Sequence, residues 1–112
     1  MQIRTQPLQN VAGVAVSIDS DTLNAENVKE FLDYVQPLIE QNPLLIIEMQ
    51  ALKFVDSAGL GALLTCLRGM EKKQGQLKLV ALSDKVRALL ELVRMSRIFA
   101  IYETAEEALA SR

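Results

Sequence analysis

The chain predicts an α/β fold: a mixed central β-sheet of four to five strands with about four α-helices, in the order β-β-α-β-α-β-α-β-α. Three observations carry that expectation. Short runs rich in β-branched residues alternate with longer runs of helical period. Leu44-Leu45-Ile46-Ile47-Glu48-Met49 is a near-continuous apolar run, which suits a central strand covered on both faces. Directly downstream, Phe54-Val55-Asp56-Ser57-Ala58-Gly59-Leu60-Gly61 passes through a polar turn into an amphipathic helix. Parallel strands joined by right-handed crossover helices satisfy this order. At 112 residues, half of them apolar, residues 1–112 suit one domain with one core.

Ile3 to Leu8 predicts a short strand, broken near Pro7. Asn10 and Gly13 supply a hairpin-like turn, and Val14 to Ile18 returns as a second strand. Asp19 to Asp21 is a polar loop. Thr22 or Asn24 then caps a helix to about Glu40, with Val28, Phe31, Leu32, Val35 and Ile39 on its apolar face. Pro37 is expected to kink or shorten it. After the Asn42-Pro43 turn comes the central strand, Leu44 to Met49.

The next helix runs from Ser57 to about Gln74. Leu60, Leu63, Leu64, Leu67 and Met70 form its expected buried stripe, and Gly75 its C-cap. Leu77 to Leu82 is a strand. Ser83 caps a helix with apolar positions Val86, Leu89, Leu90 and Val93. Ile98 to Tyr102 is the last strand, and Met95, Ile98 and Phe99 beside it either form an exposed apolar patch or, as is expected of most of them, pack in the core. Thr104 with Glu107 matches a capping box for a final helix ending near Ser111.

Composition excludes several classes of function. There is no histidine and one cysteine, Cys66, which lies in the predicted core helix as buried filler. Zinc sites and histidine-based catalysis are therefore not expected, and no cofactor or metal is assigned. The net charge of −2 gives no bulk attraction to nucleic acid or acidic membranes. Apolar runs are too short for membrane insertion, and no signal peptide is visible, which points to a cytoplasmic setting. Acids dominate Met1–Leu52 and bases dominate Lys53–Ile98, a segregation that suits either a two-signed protein-binding surface or ordinary solvation.

The strand-to-helix junction carries the chemistry. Ser57 falls at a helix N-terminus, where free N–H groups and the helix dipole favour negative charge such as phosphate. Serine there also serves as a plain helix cap. Asp56 either orients the serine or meets a partner, or simply favours the positive helix end. Gly59 and Gly61 allow either close approach of a partner or tight packing of the helix on the sheet. A hydrolase is not expected: Val55 stands where a nucleophile elbow needs its first glycine, and no histidine is available as base. No phosphate-binding P-loop is present either. The chain is not read as an enzyme.

The Asp56-Ser57-Ala58-Gly59-Leu60-Gly61 segment, the apolar strand before it, the Leu-rich helix after it and the Leu77 to Val80 strand resemble the anti-sigma factor antagonists of the STAS domain family. The resemblance spans nearly the whole chain. It implies that Ser57 is phosphorylated by a partner that is both anti-sigma factor and serine kinase of the GHKL type. The unphosphorylated form would bind that partner and free the sigma factor, phosphorylation would end binding, and a serine phosphatase would reset the switch. It implies a partner-binding patch of Asp21, Asn24, Asp56, Ser57, Ala58, Gly59 and Gly61, with Lys85 and Arg87 beside it. Departures stand at three places. Asp21 occupies a position that is often glycine, Asn24 one that is often acidic, and Glu48 a strand end that is often aspartate. The rival reading is a non-switching STAS scaffold subunit of a signalling or lipid-transport complex.

Overall fold

The computed structural model describes residues 1–111. Its elements are β1 (Gln2–Pro7), β2 (Val14–Asp19), β3 (Thr22–Leu23), α1 (Val28–Gln41), β4 (Leu44–Glu48), β5 (Phe54–Val55), α2 (Ser57–Lys72), β6 (Gln76–Val80), α3 (Asp84–Leu92), β7 (Ala100–Tyr102) and α4 (Ala105–Ala110), with a 3-10 turn at Met95–Arg97. Five strands form one mixed sheet in the order β1-β2-β4-β6-β7. β1 is antiparallel to β2, and the remaining neighbours are parallel. The fold class and the order of the principal elements agree with the sequence.

Side-chain alternation assigns the two faces. Val14, Val16, Ile18, Leu45, Ile47, Leu77 and Leu79 point to one side, where α1, α2 and α3 cover them through Phe31, Val35, Leu63, Cys66, Met70, Val86 and Leu90. Ile46 and Val80 point to the other side, where Ala108 of α4 closes a smaller cluster with Leu8, Leu44, Tyr102 and Leu109. The β4 run is therefore apolar at nearly every position because both its faces are covered. Lys78, also on the α4 side, is 6% exposed. Its ammonium is stabilised by donating to the Ala108 carbonyl at 2.6 Å and to that of Ser111, so it caps the end of α4.

Several boundaries differ from the sequence reading. Helix α1 begins at Val28, because Thr22 and Leu23 leave the helix to pair in parallel with Phe54 and Val55 of β5. It runs past Pro37 to Gln41. The last turn is held by buried Ile39 and by Lys73, whose Nζ donates to the carbonyls of Ile39, Glu40 and Asn42 at 2.6, 2.8 and 3.0 Å. These contacts offset the hydrogen bond that proline cannot make.

At the end of α2 the left-handed residue is Gln74, φ 63°, and not Gly75. The Gly75 N–H returns to the Met70 carbonyl at 2.8 Å in a Schellman closure. Gly75 is glycine for space, since a Cβ there would lie 2.9 Å from the Pro43 carbonyl oxygen.

The buried stripe of α2 is Gly59, Ala62, Leu63, Cys66 and Met70. Leu60, Leu64 and Leu67 are only half-buried, because small residues face the sheet and let the helix axis approach it. Burial pushes the Cys66 thiol up to about 12, as expected of an inert core thiol. The last strand begins at Ala100, and Phe99 is in the core while Ile98 is exposed. Val93 is also exposed, because α3 ends at Leu92 before its apolar face comes round again.

Candidate functional site

Strands β2, β4, β6 and β7 all point the same way, so their carboxyl ends share one edge of the sheet. In open α/β sheets that edge is where ligand-binding loops collect. The segments that leave it here are residues 20–27, residues 49–56, the start of α3 and the turn at Glu103. The residues of the expected partner-binding patch lie in or beside these segments.

The 20–27 and 49–56 segments are joined. The Asp21 carbonyl accepts from the Lys53 and Phe54 N–H groups at 2.7 and 3.0 Å, and the Leu23 carbonyl accepts from the Asp56 N–H at 3.3 Å. The β3–β5 register matches Thr22 to Phe54 and Leu23 to Val55. Continued by one residue, it sets Asn24 level with Asp56. Asp21 lies at the other end of this ribbon, opposite Lys53. It is exposed, but it is not the loop residue nearest Ser57.

Asp56, not Ser57, caps α2. Its Oδ1 accepts from the Gly59 N–H at 2.9 Å, and its Oδ2 accepts from the Ala25 N–H at 3.1 Å. Ser57 is then the first helical residue, and it is exposed. Aspartate is as good a cap as serine, and it spares the serine hydroxyl that task. The helix end is also less open to a further anion than a bare N-terminus, because Asp56 has drawn the Gly59 N–H.

Those donors hold the Asp56 carboxyl below its ordinary value of 3.8, with the Gly59 N–H the largest cause; partial burial opposes them, and the Ala25 N–H adds to the lowering. A carboxyl whose folded value is depressed stabilises the fold fully above its unfolded value, and loses that contribution as pH falls through the folded value. The stability difference between the wild type and Asp56→Asn is therefore expected to be greatest near pH 7 and to shrink below pH 4. Urea midpoints at the two pH values check this, and an unchanged difference would contradict it.

Asn24 is consumed by its own turn. Its Oδ1 accepts from the Glu26 and Asn27 N–H groups at 2.9 and 3.3 Å, its N–H donates to Asn27 Oδ1 at 2.9 Å, and its Nδ2 donates to Thr22 Oγ1 at 3.2 Å. Asn24 and Asn27 thus cap one another's backbone ahead of α1.

The two glycines part company. A Cβ on Gly59 would lie 2.3 Å from the Leu23 carbonyl oxygen and 2.7 Å from Val55 Cγ1, so its close approach is to β3 and β5. A Cβ on Gly61 would meet nothing within 4 Å, and Gly61 is exposed. Ala58 is half-buried. Lys85 is exposed in the first turn of α3. Arg87 turns toward Glu103, with the charged groups 3.8 Å apart, and so faces the β7–α4 turn.

Phe54 is absent from the patch expected from the sequence. It is 59% exposed on β5, two residues before the α2 cap, while Val55 is buried. Strand alternation was the available signal: a two-residue strand with Val55 turned inward leaves Phe54 outward. Ala25 was missed as well, since its role is a backbone N–H that any residue but proline carries.

A family model described as STAS domain matches residues 2–108. The anti-sigma-B factor antagonist of Listeria monocytogenes is 30% identical over 88 residues, covering 79% of this chain and 75% of that protein. An anti-sigma-factor antagonist (STAS) domain protein from Planctomyces limnophilus superposes with a TM-score of 0.87 at 18% identity, covering 97% of this chain and 96% of that one. The Bacillus cell fate determinant SpoIIAA in its phosphorylated form gives 0.71 at 20% identity, with 97% of each chain covered. These last two likenesses establish shared fold, and the family match spans almost all of the sequence: the chain belongs to the STAS domain family.

Proposed function

We propose that this chain is an anti-sigma factor antagonist controlled by phosphorylation at Ser57. In its unphosphorylated form it binds an anti-sigma factor that is also a GHKL-type serine kinase, and so releases the sigma factor. Phosphate on Ser57 ends the contact, and a serine phosphatase restores it. The observation that carries this reading is the exposed Ser57 hydroxyl at the first position of α2, left free of capping by Asp56. The relative named anti-sigma-B factor antagonist and the fold neighbour described in a phosphorylated form support it. The chain acts by docking and not by catalysis.

The docking face comprises Ser57, Gly61, Phe54 and the 24–27 turn, with Lys85 at its margin. Gly61 leaves room for a partner's backbone or side chain. Phe54 offers an aromatic anchor of the kind that dominates interface energies. Phe54→Ala is expected to weaken partner binding by about thirtyfold or more, corresponding to an anchor worth roughly 2 kcal/mol. Its own melting temperature should barely move, since the side chain is largely exposed. Calorimetric titration against the anti-sigma partner checks the first point and thermal melts the second.

The direct experiment incubates the purified protein and Ser57→Ala with candidate kinases and ATP, then maps the modified residue by mass spectrometry. Phosphate at Ser57 alone is expected. A non-switching scaffold remains the second reading, and one observation favours it: Asn24 stands where an acid is often found, with its amide committed to the turn. A protein that never carries phosphate in cells, and whose Ser57→Asp variant binds every partner normally, is the scaffold. Recovery of a lipid-transport or signalling complex in pull-downs would then identify its assembly.

A further inference from the structure

Two loops far apart in sequence meet at one carboxylate. The Asp56 oxygens are split: Oδ1 serves the first turn of α2 through the Gly59 N–H, and Oδ2 serves the 24–27 turn through the Ala25 N–H. Beneath them, the Asp56 N–H donates to the Leu23 carbonyl, and Gly59 packs directly on that same carbonyl. The 24–27 turn is otherwise held by local bonds, chiefly Asn24 to Glu26 and Asn27, and by the Asn27 amide donating to the Thr22 carbonyl at 2.8 Å. Those bonds shape the turn but do not fix it against α2. Among the described residues, only the Oδ2 contact runs from the α2 cap to the turn itself.

We propose that Asp56 is the positioning residue of the docking face, clamping the 24–27 turn onto the start of α2 so that the turn and Ser57 reach a partner as one rigid unit. Both carboxylate oxygens are turned to backbone N–H groups of this chain, so Asp56 acts through the turn and the helix end and not as a partner contact. The proposal rests on the reading of Ser57 as the docking switch, and it adds the means by which the first loop is held in place for recognition. A surface whose parts are fixed before contact loses less ordering entropy on binding.

The clamp can be cut from either side. Asp56→Ser keeps a good helix cap but cannot also reach Ala25. Ala25→Pro removes the donor itself, in the turn ahead of α1 where the Ala25 N–H serves the Asp56 carboxylate. Amide hydrogen exchange by NMR is the readout. In both variants the Glu26 and Asn27 amides are expected to exchange tenfold or more faster than in the wild type, with the Gly59 and Leu60 amides unchanged. The double variant should add nothing to either single one, because both cut the same bond. Equal exchange at Glu26 and Asn27 in all four proteins would overturn the clamp. So would an equal rise at Gly59 and Leu60, which would mean that the helix cap and not the clamp had been lost.

Phosphate occupancy of Ser57 in cells, measured by mass spectrometry on the same proteins, separates this proposal from the reading beneath it. A several-fold fall in both variants supports positioning, and unchanged occupancy with raised exchange reduces the clamp to a purely structural bond. No phosphate on the wild type removes the switch, while the exchange data still decide whether the clamp exists.

Discussion

Ser57→Asp is expected to abolish binding to the anti-sigma partner, lowering affinity by two or more orders of magnitude, whereas Ser57→Ala retains it. The difference lies in charge at a contact. Ser57 is exposed at the first position of α2, so a partner that covers it must desolvate whatever stands there. A neutral hydroxyl tolerates this. An unpaired carboxylate costs several kcal/mol in a desolvated contact, and each 1.4 kcal/mol is about a factor of ten. The helix end offers limited relief, because Asp56 already takes the Gly59 N–H and places a like charge next door. Phosphoserine, with about −1.5 to −2 charges, should act more strongly still. The fold itself should persist, since an acid in the first turn suits the helix dipole. Calorimetric titration and a thermal melt of each variant measure the two effects, and wild-type affinity in Ser57→Asp would defeat the switch.

Gly59→Ala is expected to be the most damaging single methyl group on this surface. Alanine is preferred over glycine inside a helix by about 1 kcal/mol. At Gly59 that gain is overwhelmed, because the new Cβ would be 2.3 Å from a backbone oxygen and 2.7 Å from Val55. Neither neighbour is a flexible side-chain end: Leu23 is tied into β3, and Val55 into β5. Overpacking of this kind costs about 1–3 kcal/mol and occasionally more. A net loss near the top of that range lowers Tm by roughly 10 °C in a chain of this size.

Gly61→Ala is the internal control. Its Cβ would enter open space, so stability should rise by about 0.5–1 kcal/mol. If Gly61 admits a partner, the same change weakens binding, so stability and affinity move in opposite directions. Thermal melts of the pair that showed equal shifts would mean that the two glycines share one environment after all.

Much of the fold was legible because its signals are local. The apolar run at Leu44 to Met49, the period of Val28, Phe31, Val35 and Ile39, and the caps Ser83 and Thr104 each describe a single element. The errors fall where two distant segments choose each other. Thr22 and Leu23 have no strong strand signal, yet they pair with Phe54 and Val55 and delay α1 to Val28. Pro37 reads as a helix breaker, but Lys73, just past the end of α2, holds the turn beyond it. Leu60, Leu64 and Leu67 look more apolar than Ala62 and Cys66, but the packing distance to the sheet selects the smaller residues for the inner face.

The amino-acid order alone determined the α/β class, the succession of principal elements and the singularity of the Asp56-Ser57 junction, because periodicity, capping chemistry and glycine placement act within a few residues. Only the tertiary structure decided what that junction is made of. It gave the cap to Asp56 and left Ser57 at the surface, joined the first loop to the helix start through the Ala25 N–H, turned Phe54 outward and assigned Gly59 to packing and Gly61 to open space. The Ala25 contact and the packing of Gly59 each depend on a backbone group contributed from roughly thirty residues away in the chain, and no local pattern of side chains encodes where such a group will lie.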